Sequence, residues 1–204
     1  MNFAVFQAVW FACVHGAARG TPWLGPVLAA ALLPINLRFS AAPRRELALW
    51  ALSGAVGLVA DSALRSTGLL AFPGSDGGSP GPGWALAPVW IVTLWVAFGS
   101  LLTSSLSWLS GRRLPLVALS AIGGPLSFWS GSKIGATAVP GGWMGYLALS
   151  IEYSVAVPCL MAAAAPPRPR PPEGPRDPRE PEPTAPRSGD GPIDRGILND
   201  DSRR

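Results

Sequence analysis

The chain has 204 residues, 49% hydrophobic and only 14% charged, with a net charge of +4 and a mean hydropathy of +0.30. The basic excess is not a nucleic-acid footprint: up to residue 165 there are eight basic and four acidic residues, and the last 39 residues carry eight of each sign. A single histidine, His15, excludes multi-histidine metal sites, and nothing in the sequence points to a cofactor. Cys13 and Cys159 both lie in apolar stretches and read as small apolar fillers.

Six apolar segments follow in chain order, at about 3–18, 23–37, 47–64, 87–109, 114–128 and 143–164. A spanning helix needs about 20 apolar residues, with a range of about 17–25. The third, fourth and sixth meet that length. The first and second are short, and Pro26 and Pro34 interrupt the second, so the two are either short spans or a hairpin dipping into the bilayer. Gly123, Gly124 and Pro125 must kink or break the fifth, which is expected to continue, bent, towards Gly135. The first segment has no basic residue ahead of it and no good small-x-small site before Arg19, so it reads as a retained helix and not a cleaved signal.

The expected fold is therefore an all-α integral membrane protein, a bundle of about six transmembrane helices over 1–165. Residues 166–204 hold eleven prolines among alternating charges and almost no large apolar side chains, the composition of a disordered tail. The stretch 72–83, rich in Gly, Pro and Ser, reads as an external loop.

Orientation follows from the positive-inside rule. With six spans, Arg38, Arg44, Arg45, Arg112 and Arg113 share one side, against Arg19, Arg65 and Lys133 on the other. Both termini are expected in the cytoplasm of a bacterial cell, with the chain multipass in the inner membrane. Trp23, Trp84, Trp90 and Trp143 are expected near the outer boundary, and Trp50 and Trp108 near the inner one, as interfacial anchors.

Function has to be sought in polar residues placed at a cost inside apolar segments, since a charge at the centre of a span costs on the order of 2.5–3.5 kcal/mol. Gly54, Gly57, Asp61 and Arg65 recur at helical spacing in the third segment, and Gly145, Ala148, Glu152 and Ala156 repeat the pattern in the sixth. Small residues let helices approach closely, so each acid sits on a face built for helix contact. At about 1.5 Å per residue, Asp61 lies about 21 Å from the inner surface and Glu152 about 14 Å below the outer one. His15, Arg19, Asp61, Arg65, Lys133 and Glu152 are thus candidates for one polar pocket in the outer half of the bilayer.

The competing reading is purely structural. Asp61 and Arg65 have favourable spacing for an intrahelical ion pair, and Glu152 would be held by Lys133 or Arg19. Gln7 and Asn36 read as interhelical hydrogen-bonding groups, and the serines and threonine of 101–110 as groups that bond carbonyls one turn back. If the two carboxylates approach each other, they can exchange a proton, which leaves an acid–base role open.

The stretches 11–25 (FACVHGAARGTPWLG), 60–62 (ADS), 87–94 (APVWIVTL) and 121–136 (AIGGPLSFWSGSKIGA) resemble the bacterial family known as domain of unknown function 2878. The resemblance covers roughly 2–164 and excludes the tail. It implies a small multipass inner-membrane protein with no established activity, and its members' gene neighbours imply a lipid-related role. The reading that results is a non-catalytic accessory or lipid-handling component, with membrane lipids as partners and a second copy or another membrane protein as a further one. The alternatives are an integral membrane enzyme acting on lipids or acyl chains, with Asp61, Glu152 or His15 as acid or base, and a proton-coupled transporter of a small molecule.

Overall fold

In an apolar environment each backbone N–H and C=O must find an internal partner, and a helix supplies one for nearly all of them. The computed structural model describes residues 2–73 and 85–165. They form α1 (Asn2–Ala18), α2 (Leu24–Arg38), α3 (Pro43–Ser66), α4 (Val89–Leu102), α5 (Arg113–Ile134) and α6 (Trp143–Ala164), with a 3-10 turn at Ser107–Leu109. Helices α3, α5 and α6 are long and apolar enough to cross a membrane; α1, α2 and α4 are apolar but shorter. The turn-rich stretch 74–83, Trp84 and the proline-rich tail lie outside the described residues.

Cross-links at the helix ends show that the helices run alternately up and down. Where α1 and α3 begin and α4 and α6 end, Asn2 Nδ2 donates to the Ser100 carbonyl at 3.4 Å and Thr103 Oγ1 to Glu46 Oε1 at 3.2 Å. At that same end the Arg45 guanidinium donates to the Ala164 carbonyl at 2.8 Å and to that of Ala165. Those carbonyls have no partner within α6, so the arginine caps the helix C-terminus with matching charge. At the opposite end an isolated antiparallel bridge joins Ala71 to Ala138, and Phe72 packs edge-on to Trp90 at 5.6 Å. Helix α5 closes there on Gly135, whose φ of 92° is a left-handed conformation that suits glycine.

The helix bounds differ from the apolar segments for local reasons. Helix α4 stops at Leu102, not 109, where hydroxyls offer the chain other bonds: Ser104 Oγ donates to the Ser100 carbonyl at 2.9 Å and Ser107 Oγ to that of Ser104 at 2.6 Å. Helix α5 runs unbroken through Pro125. That residue has no N–H for the Ala121 carbonyl, and Ser150 Oγ of α6 donates to it instead, at 2.9 Å.

Two tryptophans expected as interfacial anchors are core residues. Trp90 is 1% exposed and Trp50 6%, both packed in the main apolar cluster, whereas Trp23, Trp108 and Trp143 are exposed. Tryptophan supplies more area to a packed interior than any other side chain, and position near a helix end does not outweigh that. The exterior is itself apolar: Val59 of α3, Leu114 and Ile122 of α5 and Ile151 and Val155 of α6 all stand exposed. Exposed apolar area on this scale is foreign to a surface facing water.

Candidate functional site

The site begins with glycine spacing on α3. A Cβ on Gly57 would fall on the Trp95 ring, and one on Gly54 would meet Val96 at 2.8 Å; Gly99 of α4 answers by lying against the Trp50 backbone. Small residues on both helices thus draw α3 and α4 together, and Ser53 Oγ pins them by donating to the Trp95 carbonyl at 2.6 Å. With Gly57 leaving room for its ring, Trp95 turns its indole N–H to Asp61 Oδ2 at 2.8 Å. Asp61 is fully buried, and its Oδ1 has no hydrogen-bond partner.

Glu152 comes to the same place from α6. It lies within the electrostatic field of Asp61, and both of its buried carboxylate oxygens lack a hydrogen-bond partner. Its neighbour Tyr153 feels both acids and packs against Trp95, with ring centroids 4.9 Å apart and the planes tilted by 33°. A Cβ on Gly124 of α5 would meet the Tyr153 ring, so that glycine seats the tyrosine as Gly57 seats the tryptophan. Two carboxylates therefore share one interior region, with two aromatic rings in tilted contact beside them.

The other sequence candidates make contacts of their own, Arg65 one turn beyond Asp61 on α3. His15 is partly exposed, with Nδ1 3.2 Å from the Phe11 carbonyl, and Arg19 is exposed just beyond α1. Lys133 is exposed with its Nζ 5.4 Å from the Trp129 ring centroid. Arg65 donates to the Leu86 carbonyl and sits 5.9 Å from the Phe72 ring centroid. Asn36 is buried with no hydrogen-bond partner for its amide, against the expectation that it links helices.

A cavity of about 580 Å³ lies between α1 and α5, backed by α4 and α6. Sequence reasoning missed it, because it arises where two helices distant in the chain fail to close. Its lining is mostly apolar and strongly aromatic, including Phe6, Trp10, Trp90, Phe98, Trp108 and Phe128, with Gln7 and a few serines as polar points. Trp10 Nε1 donates to Ser127 Oγ at 3.2 Å between the flanking helices. None of the charged candidates lines it. Trp95 and Tyr153 do, and those two rings stand next to the acid pair.

Fold and site together define an all-helical protein with membrane-length helices, a buried acid pair and an aromatic interhelical cavity. The family model described as Protein of unknown function (DUF2878) matches residues 1–159, and the chain belongs to that family. No curated protein and no solved structure matches it.

Proposed function

We propose that this chain is a multipass bacterial inner-membrane protein that handles lipid by holding an apolar chain in the cavity between α1 and α5. The cavity carries the reading: at about 580 Å³ it has the size and the aromatic, largely apolar lining of a small-ligand site. Six spans with both termini cytoplasmic suit the alternating helices and put Arg38, Arg44, Arg45, Arg112 and Arg113 on one side. The shorter α4 fits such a bundle because it is mostly buried among its neighbours, so its length need not match the bilayer where lipid does not touch it. No catalytic step is part of this reading.

The experiment is lipid analysis of the purified chain. Mild detergent should leave a substoichiometric or stoichiometric acyl lipid bound, and Gly123→Leu should release it. Gly123 lines the cavity and has open space where a side chain would start, so leucine fills volume without a clash. Equal lipid retention by both proteins overturns the proposal.

A second reading rests on the acid pair. Two carboxylates with buried oxygens, near enough to act on each other electrostatically, are the groups an acid–base enzyme or a proton-coupled carrier would use. It predicts that Asp61→Asn or Glu152→Gln abolishes a lipid-modification or transport phenotype while the folded protein persists in the membrane.

A further inference from the structure

The cavity between α1 and α5 has one end that α1 does not cover. Its lining runs along α5 from Leu116 to Gly131, about 22 Å at about 1.5 Å per residue. Helices α1 and α5 start at the same end of the bundle, and Trp10 of α1 meets Ser127 of α5 at 3.2 Å. Up to that contact α1 contributes about 12 Å of helix and α5 about 21 Å. The first turns of α5 therefore extend about 9 Å past the start of α1, and Trp108, Leu109 and Leu116 line the part of the cavity left uncovered there.

Two arginines stand at that mouth. The Arg112 N–H donates to the Leu109 carbonyl at 2.9 Å and its carbonyl accepts from the Leu116 N–H at 3.1 Å, so its backbone joins two residues of the lining. Arg112 and Arg113 are exposed, and among the described residues neither side chain has a hydrogen bond or an ion pair. Trp108 beside them is exposed as well. No acid opposes them: α1, α4, residues 103–112 and α5 carry none. Glu46, the one acid described at this end, is buried in the α3–α4 contact and accepts from Thr103 Oγ1, while Arg45 is engaged by the carbonyls that end α6. Lys133, the other cation of α5, lies in its last turn at the far end.

We propose that the cavity's occupant is an anionic phospholipid, its phosphate seated at Arg112 and Arg113 beside Trp108 and one acyl chain running up the cavity along α5. This presupposes the chain-holding role proposed above and adds the headgroup and the end at which it sits. Neighbouring guanidiniums offer paired N–H donors to phosphate oxygens. With no acid facing them, they favour a head of net negative charge over a zwitterion, whose ammonium offsets its phosphate. Arg38 and Arg44 are also exposed, but on α2 and α3, which contribute nothing to the lining. They separate a site at the mouth from a basic surface in general.

The test uses the full chain in a neutral detergent. Phosphatidylglycerol with pyrene at the end of one acyl chain is bound, then displaced by unlabelled phosphatidylglycerol or phosphatidylcholine of identical chains, or by palmitate. Phosphatidylglycerol should displace the label at a concentration about fivefold or more below phosphatidylcholine. The Arg112→Gln, Arg113→Gln double variant should bring the two lipids within about twofold of each other, whereas Arg38→Gln, Arg44→Gln, with the same loss of charge, should keep the preference. Equal potency of the two lipids in the wild-type chain overturns the inference, a comparison that needs no variant. A preference that survives without Arg112 and Arg113, or is lost equally in both double variants, overturns it too. Palmitate as effective as phosphatidylglycerol overturns the phospholipid assignment in favour of a free carboxylate. A label that does not bind, or that binds Gly123→Leu as tightly as the wild type, refutes the chain-holding role itself.

Discussion

Trp95 donates its indole N–H to Asp61 at 2.8 Å from inside a groove that Gly57 leaves open, so one hydrogen bond couples the α3–α4 packing to the acid pair. Phenylalanine at position 95 keeps an aromatic side chain, removes the donor and gives up part of the indole's volume. Leaving Asp61 Oδ2 unbonded in the interior should cost about 1–3 kcal/mol, read as a lower melting temperature in detergent. An unchanged melting temperature would show that the bond contributes nothing.

The glycines of the bundle separate into two kinds. Gly57→Ala places a methyl group on the Trp95 ring and should destabilise by about 1–3 kcal/mol through overpacking. Gly123→Ala meets nothing within 4 Å and should stabilise by about 0.5–1 kcal/mol through the lower backbone entropy of alanine in a helix. Denaturant titration of the two variants checks the opposite signs.

Ser150 and Pro125 form a matched pair. Ser150→Ala removes the hydrogen bond that α6 donates to the Ala121 carbonyl and should cost about 0.6 kcal/mol, and no more than about 1.7 kcal/mol, the average and the upper end for polar contacts between membrane helices. Pro125→Ala returns an N–H to that carbonyl, so Ser150→Ala should cost less in the Pro125→Ala background. A double-mutant cycle reads the coupling; additive effects would contradict the pairing.

Glu152 has two buried oxygens and no hydrogen-bond partner. Replacing it with methionine, of similar length, should stabilise the isolated protein by about 1–3 kcal/mol, since an unbonded polar group is removed from the interior. A less stable Glu152→Met protein would reveal a structural partner for the carboxylate.

Helical spacing made part of this legible in advance. Gly54, Gly57 and Asp61 could be placed on one face of α3, and Glu152 on the small-residue face of α6, because a fixed rise and turn dictate which side chains share a face. What periodicity cannot carry is which face meets which. Nothing local marks Trp95 as the partner of Asp61, and nothing in α1 or α5 signals that they leave a cavity between them. Trp90 and Trp50 misled for the same reason: nearness to a helix end is visible along the chain, whereas burial by a distant helix is not. The early end of α4 was legible in principle, since Thr103, Ser104, Ser105 and Ser107 can all compete for backbone carbonyls.

The cavity's occupancy by a lipid chain is tested most directly by photolabelling the membrane-embedded protein with a diazirine-bearing fatty chain and mapping the modified residues by mass spectrometry. The account predicts labels on inward residues of the cavity, such as Leu94, Phe98 and Ser127, that disappear in Gly123→Leu. Labels confined to exposed apolar residues such as Val59, Ile122, Ile151 and Val155, unchanged by that substitution, would contradict it.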